Sequence, residues 1–73
     1  MNHNLPNHLS KSDIESMIDE YIVGRNAERN RKILKRRLID GVCYDSLAEE
    51  FELEPRQLKR IVYKGIDTLI QHL

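Results

Sequence analysis

The sequence predicts an all-α fold, a four-helix domain with a helix–turn–helix in its C-terminal half. Three observations carry that expectation. Aromatic residues make up 5% of the 73 residues, with three Gly and two Pro, while Leu, Ile, Glu, Lys and Arg are common; that mixture favours helices. Apolar residues recur at steps of three and four, with no strand-like alternation. Residues 42–69, VCYDSLAEEFELEPRQLKRIVYKGIDTL, divide into two short helices joined by a tight turn. A chain of this length is one domain and buries only about 60% of its unfolded surface. Stability then needs very regular helix packing, a partner or a second copy.

The elements follow in order. Residues 1–11 are rich in Asn and His and lack periodicity, so they are expected as a disordered arm, with the domain over 12–73. Ser12–Asp13–Ile14–Glu15 has the form of a capping box, placing the start of the first helix at Ser12. Ile14, Met17, Ile18, Tyr21 and Ile22 form its apolar face, and Gly24 ends it. The second helix starts near Asn26, a good N-cap residue, or Ala27, and runs to about Ile39. Ala27, Ile33, Leu34 and Leu38 face inward, with Asn30 and Arg37 at the margins, and Asp40–Gly41 closes it.

The third helix spans roughly 44–51, with Leu47, Ala48 and Phe51 on one side and Cys43 as a poor N-cap. The fourth begins at Pro55, suited to the first helical position, and runs to about His72. Leu58, Ile61, Val62, Ile66 and Leu69 form its apolar face, and Gly65 on that face permits close helix approach. Leu34, Leu47, Phe51, Leu58, Ile61 and Val62 are expected to share one core.

Net charge is zero, but its distribution is uneven. Residues 25–37 carry seven cationic side chains against Glu28, a net of +6. Residues 40–54 carry six carboxylates, a net of −6, and residues 55–64 carry four cations, a net of +4. Phosphates respond to the local field rather than to the sum. Opposite the apolar face of the fourth helix lie Arg56, Gln57, Lys59, Arg60, Tyr63 and Lys64. A helix apolar on one side and basic on the other, held against a preceding helix, is the shape that enters the major groove. Arg56, Gln57 and Arg60 are the base-contact candidates, since Arg reads guanine and Gln reads adenine. Lys59, Tyr63 and Lys64 suit phosphates, and Arg29, Lys32, Lys35 and Arg36 are candidates for flanking backbone contacts. The plain alternative is a set of solvated helix faces.

Residues 30–69, NRKILKRRLIDGVCYDSLAEEFELEPRQLKRIVYKGIDTL, resemble region four of bacterial sigma factors, and more closely the small sigma-region-four-like proteins of Gram-positive phages and prophages. The resemblance covers over half the chain. It rests on a helix ending in a Gly-containing loop at Gly41, a support helix Tyr44–Phe51 and a recognition helix from Pro55. It implies a DNA-binding transcriptional regulator whose recognition helix reads the major groove, with double-stranded DNA and RNA polymerase as partners. The chain departs from the family pattern at Cys43 and Glu54, where Ser or Thr is usual, and at Glu52, where Gly is frequent. A carboxylate at position 54 repels a phosphate that a hydroxyl would bind. The sigma-factor regions that melt promoters or hold the polymerase core are not seen. An alternative reading is a protein-binding module that engages RNA polymerase or another regulator through a sigma-like surface, without binding DNA itself.

No nucleophile–base pair, carboxylate pair or metal-ligand spacing stands out, so neither an enzyme nor a cofactor or metal site is expected. Cys43 is the single cysteine, compatible with a reducing cytoplasm. No signal-peptide core or membrane-length apolar run is present, which suggests a soluble cytoplasmic chain and no membrane partner. A homodimer through the first helix and Leu69, Ile70 and Leu73 would double the base contacts on a palindromic site.

Overall fold

The computed structural model describes residues 8–73, so most of the expected N-terminal arm lies outside the described residues. Its elements are four helices, α1 (Lys11–Tyr21), α2 (Ala27–Leu38), α3 (Tyr44–Glu50) and α4 (Pro55–Gln71). The all-α four-helix expectation holds.

Helix α1 starts one residue before the expected position and uses a different cap. Ser10, not Ser12, is the N-cap: its Oγ accepts from the Asp13 N–H at 3.1 Å, and Asp13 Oδ2 accepts from the Ser10 N–H at 3.1 Å. Both Ser10–Asp13 and Ser12–Glu15 have capping-box spacing. With Ser10 as the cap, Leu9 and Ile14, both half-buried, take the two positions of a hydrophobic staple.

The connection to α2 turns through Gly24 at φ +93° and Asn26 at φ +63°. Asn26 is the N-cap residue of α2, as expected, but not through its side chain, which makes no capping hydrogen bond. Its use here is that Asn tolerates the left-handed conformation. Arg31 closes the connection by donating its Nε–H to the Ile22 carbonyl at 2.7 Å. At the far end of α2 the hydrogen bonds widen. Asp40 N–H reaches the Lys35 carbonyl at 3.2 Å and Val42 N–H reaches that of Arg36 at 3.1 Å, across Gly41 at φ +71°.

Helices α3 and α4 form the expected helix–turn–helix. The end of α3 is a Schellman motif: Leu53 N–H bonds the Ala48 carbonyl at 2.8 Å and Glu52 N–H bonds that of Glu49 at 3.3 Å. Glu52 supplies the left-handed residue at φ +55°, a place where Gly is the usual choice. Pro55 then opens α4, with Glu54 as an N-cap residue that makes no side-chain cap.

The core is continuous across all four helices. Ile18, Ile33, Leu34, Leu47, Leu58, Val62 and Leu69 are fully enclosed. Helix α4 packs on α1, α2 and α3, and α2 also packs on α1 and α3. Phe51 and Ile61, expected inside, are only partly buried and pack against the core from its edge. Phe51 sits at the C-cap, where the chain leaves α3, and Ile61 lies toward the side of α4 that lines an open groove. At Gly65 the expectation of close approach holds: a β-carbon there would come within 2.6 Å of Leu34 Cδ1. Burying a Leu-sized side chain contributes roughly 1.5–3 kcal/mol, so the seven enclosed residues dominate the stability of so small a domain.

The apolar side of α1 is turned inward, with Ile18 and Ile22 buried and Ile14, Met17 and Tyr21 packed on the core. Leu69 is likewise inside the monomer. Of the surface expected at a dimer seam, Ile70 and Leu73 remain exposed, at 36% and 55%.

Candidate nucleic-acid interface

Helix α4 carries the six residues singled out from the sequence, and all six are exposed. Their positions divide into an outward face and two flanks. Arg56, Lys59, Arg60, Tyr63, Lys64 and Asp67 bound a shallow open depression of about 660 Å³ along the outward side. Gln57 leaves that group and lies on the flank toward α2, where Arg60 and Lys64 join it. Arg60 and Lys64 therefore border both surfaces. The spacing explains the division: 56, 60 and 64 advance by about 40° per step, while 57 is rotated by about 100° from 56.

The opposite flank is organised by Tyr44, a residue that the sequence reading did not single out. Its ring meets Tyr63 edge-on, with centroids 6.1 Å apart. The Arg37 guanidinium lies 4.3 Å from the Tyr44 centroid and the Lys59 ammonium 5.7 Å from it. Arg37 is held in place by donating to the Val42 carbonyl at 3.1 Å. Such cation–ring contacts contribute about 0.5–1 kcal/mol at exposed sites, enough to bias the orientation of Lys59 and Tyr63. Tyr44 continues the apolar stripe three residues before Leu47, which was the available signal.

The four candidates for flanking backbone contacts separate in the structure. Arg36 makes a two-pronged contact with Glu50, Nε to Oε2 at 3.2 Å and Nη2 to Oε1 at 2.7 Å, and also reaches Asp40 Oδ2 at 3.4 Å. Glu50, and then Asp40, push this guanidinium still further toward its charged form. Lys35 pairs with Asp19 at 2.8 Å. These two cations tie α2 to α3 and to α1, and their charge is answered inside the protein. Lys32 pairs with Glu28 at 3.6 Å on the same helix, both groups being well exposed, a geometry that contributes little. Arg29 donates its Nε–H to Asn30 Oδ1 at 3.2 Å and borders the groove beside α4.

Around α3 the charge is negative: Asp45, Glu49, Glu50, Glu52 and Glu54 are exposed. Cys43 is exposed too, and its hydrogen bond to the Ser46 hydroxyl holds the thiol below its ordinary range. Among the described residues no group of three or more His, Cys, Asp or Glu side chains has an arrangement that could hold a metal ion, and no described helix is long and apolar enough to cross a membrane.

Comparisons with protein families, with curated proteins and with solved structures find no match to this chain.

Proposed function

We propose that this domain binds double-stranded DNA as a transcriptional regulator resembling sigma factor region four, with α4 in the major groove. The observation that supports it is the outward side of α4: Arg56, Lys59, Arg60 and Lys64 are exposed, with no carboxylate between residues 55 and 66 of the helix. A support helix and a tight turn hold that side away from the core. In this reading Arg56 and Arg60 read bases, with Gln57 at the α2 edge, and Lys59, Tyr63 and Lys64 meet phosphates.

Alanine substitutions test the assignment. Arg56→Ala should relax sequence preference and cost about 1–3 kcal/mol of binding if the residue makes a good bidentate contact. Lys59→Ala should weaken binding to all duplexes and reduce the salt slope by about one unit. Fluorescence anisotropy with labelled duplexes at several salt concentrations reads both. Variants that leave affinity and slope unchanged would remove α4 from the interface.

A second reading, a protein-binding module without DNA affinity, is favoured by the exposed carboxylates around α3. Glu50 is engaged by Arg36, so Glu49 and Glu52 are the residues to reverse to Lys. Loss of capture by RNA polymerase on reversal, together with no binding to DNA by the native chain, would select it.

A further inference from the structure

Between the α1–α2 connection, the first half of α2 and the inner flank of α4 lies a groove of about 550 Å³. It is separate from the outward side of α4, although Arg60 and Lys64 border both. Its charge is one-signed: Arg25, Arg29, Arg60 and Lys64 line it, and no Asp or Glu does. In a chain with equal numbers of acidic and basic residues, that is a strong local excess. Arg25, Arg60 and Lys64 take no part in the ion pairs among the described residues. The floor is apolar, formed by Leu34, Ile61 and Gly65. The absence of a β-carbon at Gly65 is what lets α2 and α4 meet there.

We propose that this groove is a binding site for a polyvalent phosphate group. Four cations bordering one concavity favour an anion of high charge density over a single carboxylate. Guanidinium groups present paired N–H donors that match phosphate oxygens, and the lysine adds a point charge. Arg25 and Arg29 approach from the α2 side, Arg60 and Lys64 from the α4 side, so an occupant bridges the two helices. Two sources share this chemistry, a free polyphosphate-bearing small molecule and the phosphodiester backbone of a nucleic acid. Because Arg60 and Lys64 serve both surfaces, a free anion in the groove would compete with DNA held along α4.

The proposal stands without the DNA reading, because its first test contains no DNA. The full chain, labelled with nitrogen-15, is titrated with sodium tripolyphosphate while its amide spectrum is followed. Saturable shifts are expected at Asn26, Gly65 and Thr68, which border the groove. The Arg25→Ala, Arg29→Ala double variant should lose about tenfold or more in affinity, whereas Lys11→Ala, which removes one charge at the start of α1 and so matches the single Arg25→Ala variant, should not. Arg25→Ala alone, at an exposed position in the connection, keeps the test decisive if the double variant does not fold. A parallel titration with a short duplex separates the sources. Tripolyphosphate binding that depends on Arg25 identifies a free anion, and duplex binding alone that depends on Arg25 identifies the backbone. If neither probe distinguishes the Arg25 variants from Lys11→Ala, the site does not exist.

Discussion

Glu52 is the residue whose backbone works hardest against its side chain. It holds φ +55°, a conformation that costs an L-residue roughly 1–2 kcal/mol and costs Gly almost nothing. The chain accepts this because the two hydrogen bonds closing α3 require a left-handed residue at that position. Glu52→Gly should therefore stabilise the domain by about 0.5–1 kcal/mol, after the larger unfolded-state entropy of Gly is taken into account. In a domain of this size that raises the melting temperature by several degrees, at about 4–8 °C per kcal/mol. A thermal melt by circular dichroism reads it, and an unchanged or lowered midpoint would show that the left-handed turn carries no strain. Glu54, two residues on, is a different case: its backbone is ordinary, but its carboxylate leaves the start of α4 without a side-chain cap.

At the scale of the helices, the contact between α2 and α4 depends on the missing side chain at Gly65. Gly65→Ala raises helix propensity by about 1 kcal/mol. It also brings a methyl group against the fully buried Leu34 side chain, which must shift to admit it. Overpacking of that kind costs about 1–3 kcal/mol, so the single variant should be neutral to destabilising. Leu34→Val loses core volume, but combined with Gly65→Ala it should cost less than the two separate effects added together. Chemical denaturation of the four proteins in this cycle measures the coupling, and strict additivity would mean that the two residues do not touch.

This contact was legible in the sequence because Gly65 falls in register with Leu58, Val62, Ile66 and Leu69. Pro55 and Gly41 marked their boundaries for similarly local reasons. The start of α1 was not decided locally, since Ser10 and Ser12 both have capping spacing. Nor could the sequence disclose that Arg36 is paired with Glu50, fourteen residues away. The basic groove was equally hidden, because its cations come from two distant segments that only the packing of α2 on α4 brings together.

Across the described residues, charge is unevenly placed: carboxylates gather around α3 and on α1, and cations along α2, the first half of α4 and the α1–α2 connection. The fold measures 31 × 24 × 23 Å, and α4, at about 25 Å by its rise per residue, runs most of its length. One such helix offers few base contacts, which is why a homodimer remains a proposal. Its seam would now rest on Ile70 and Leu73, since α1 and Leu69 are used within the monomer. Light scattering on the chain with and without duplex should show a dimer in at least one state, and monomer in both would remove the idea.

The decisive measurement is a fluorescence titration of the native chain with a labelled duplex, repeated from about 50 to 200 mM salt. If Lys59 and Lys64 meet phosphates while Arg56 and Arg60 read bases, log affinity should fall linearly with log salt at a slope of about −2, close to −0.9 for each phosphate neutralised. Absence of binding at about 50 mM salt, where such contacts are strongest, or binding indifferent to salt, would contradict DNA recognition by α4.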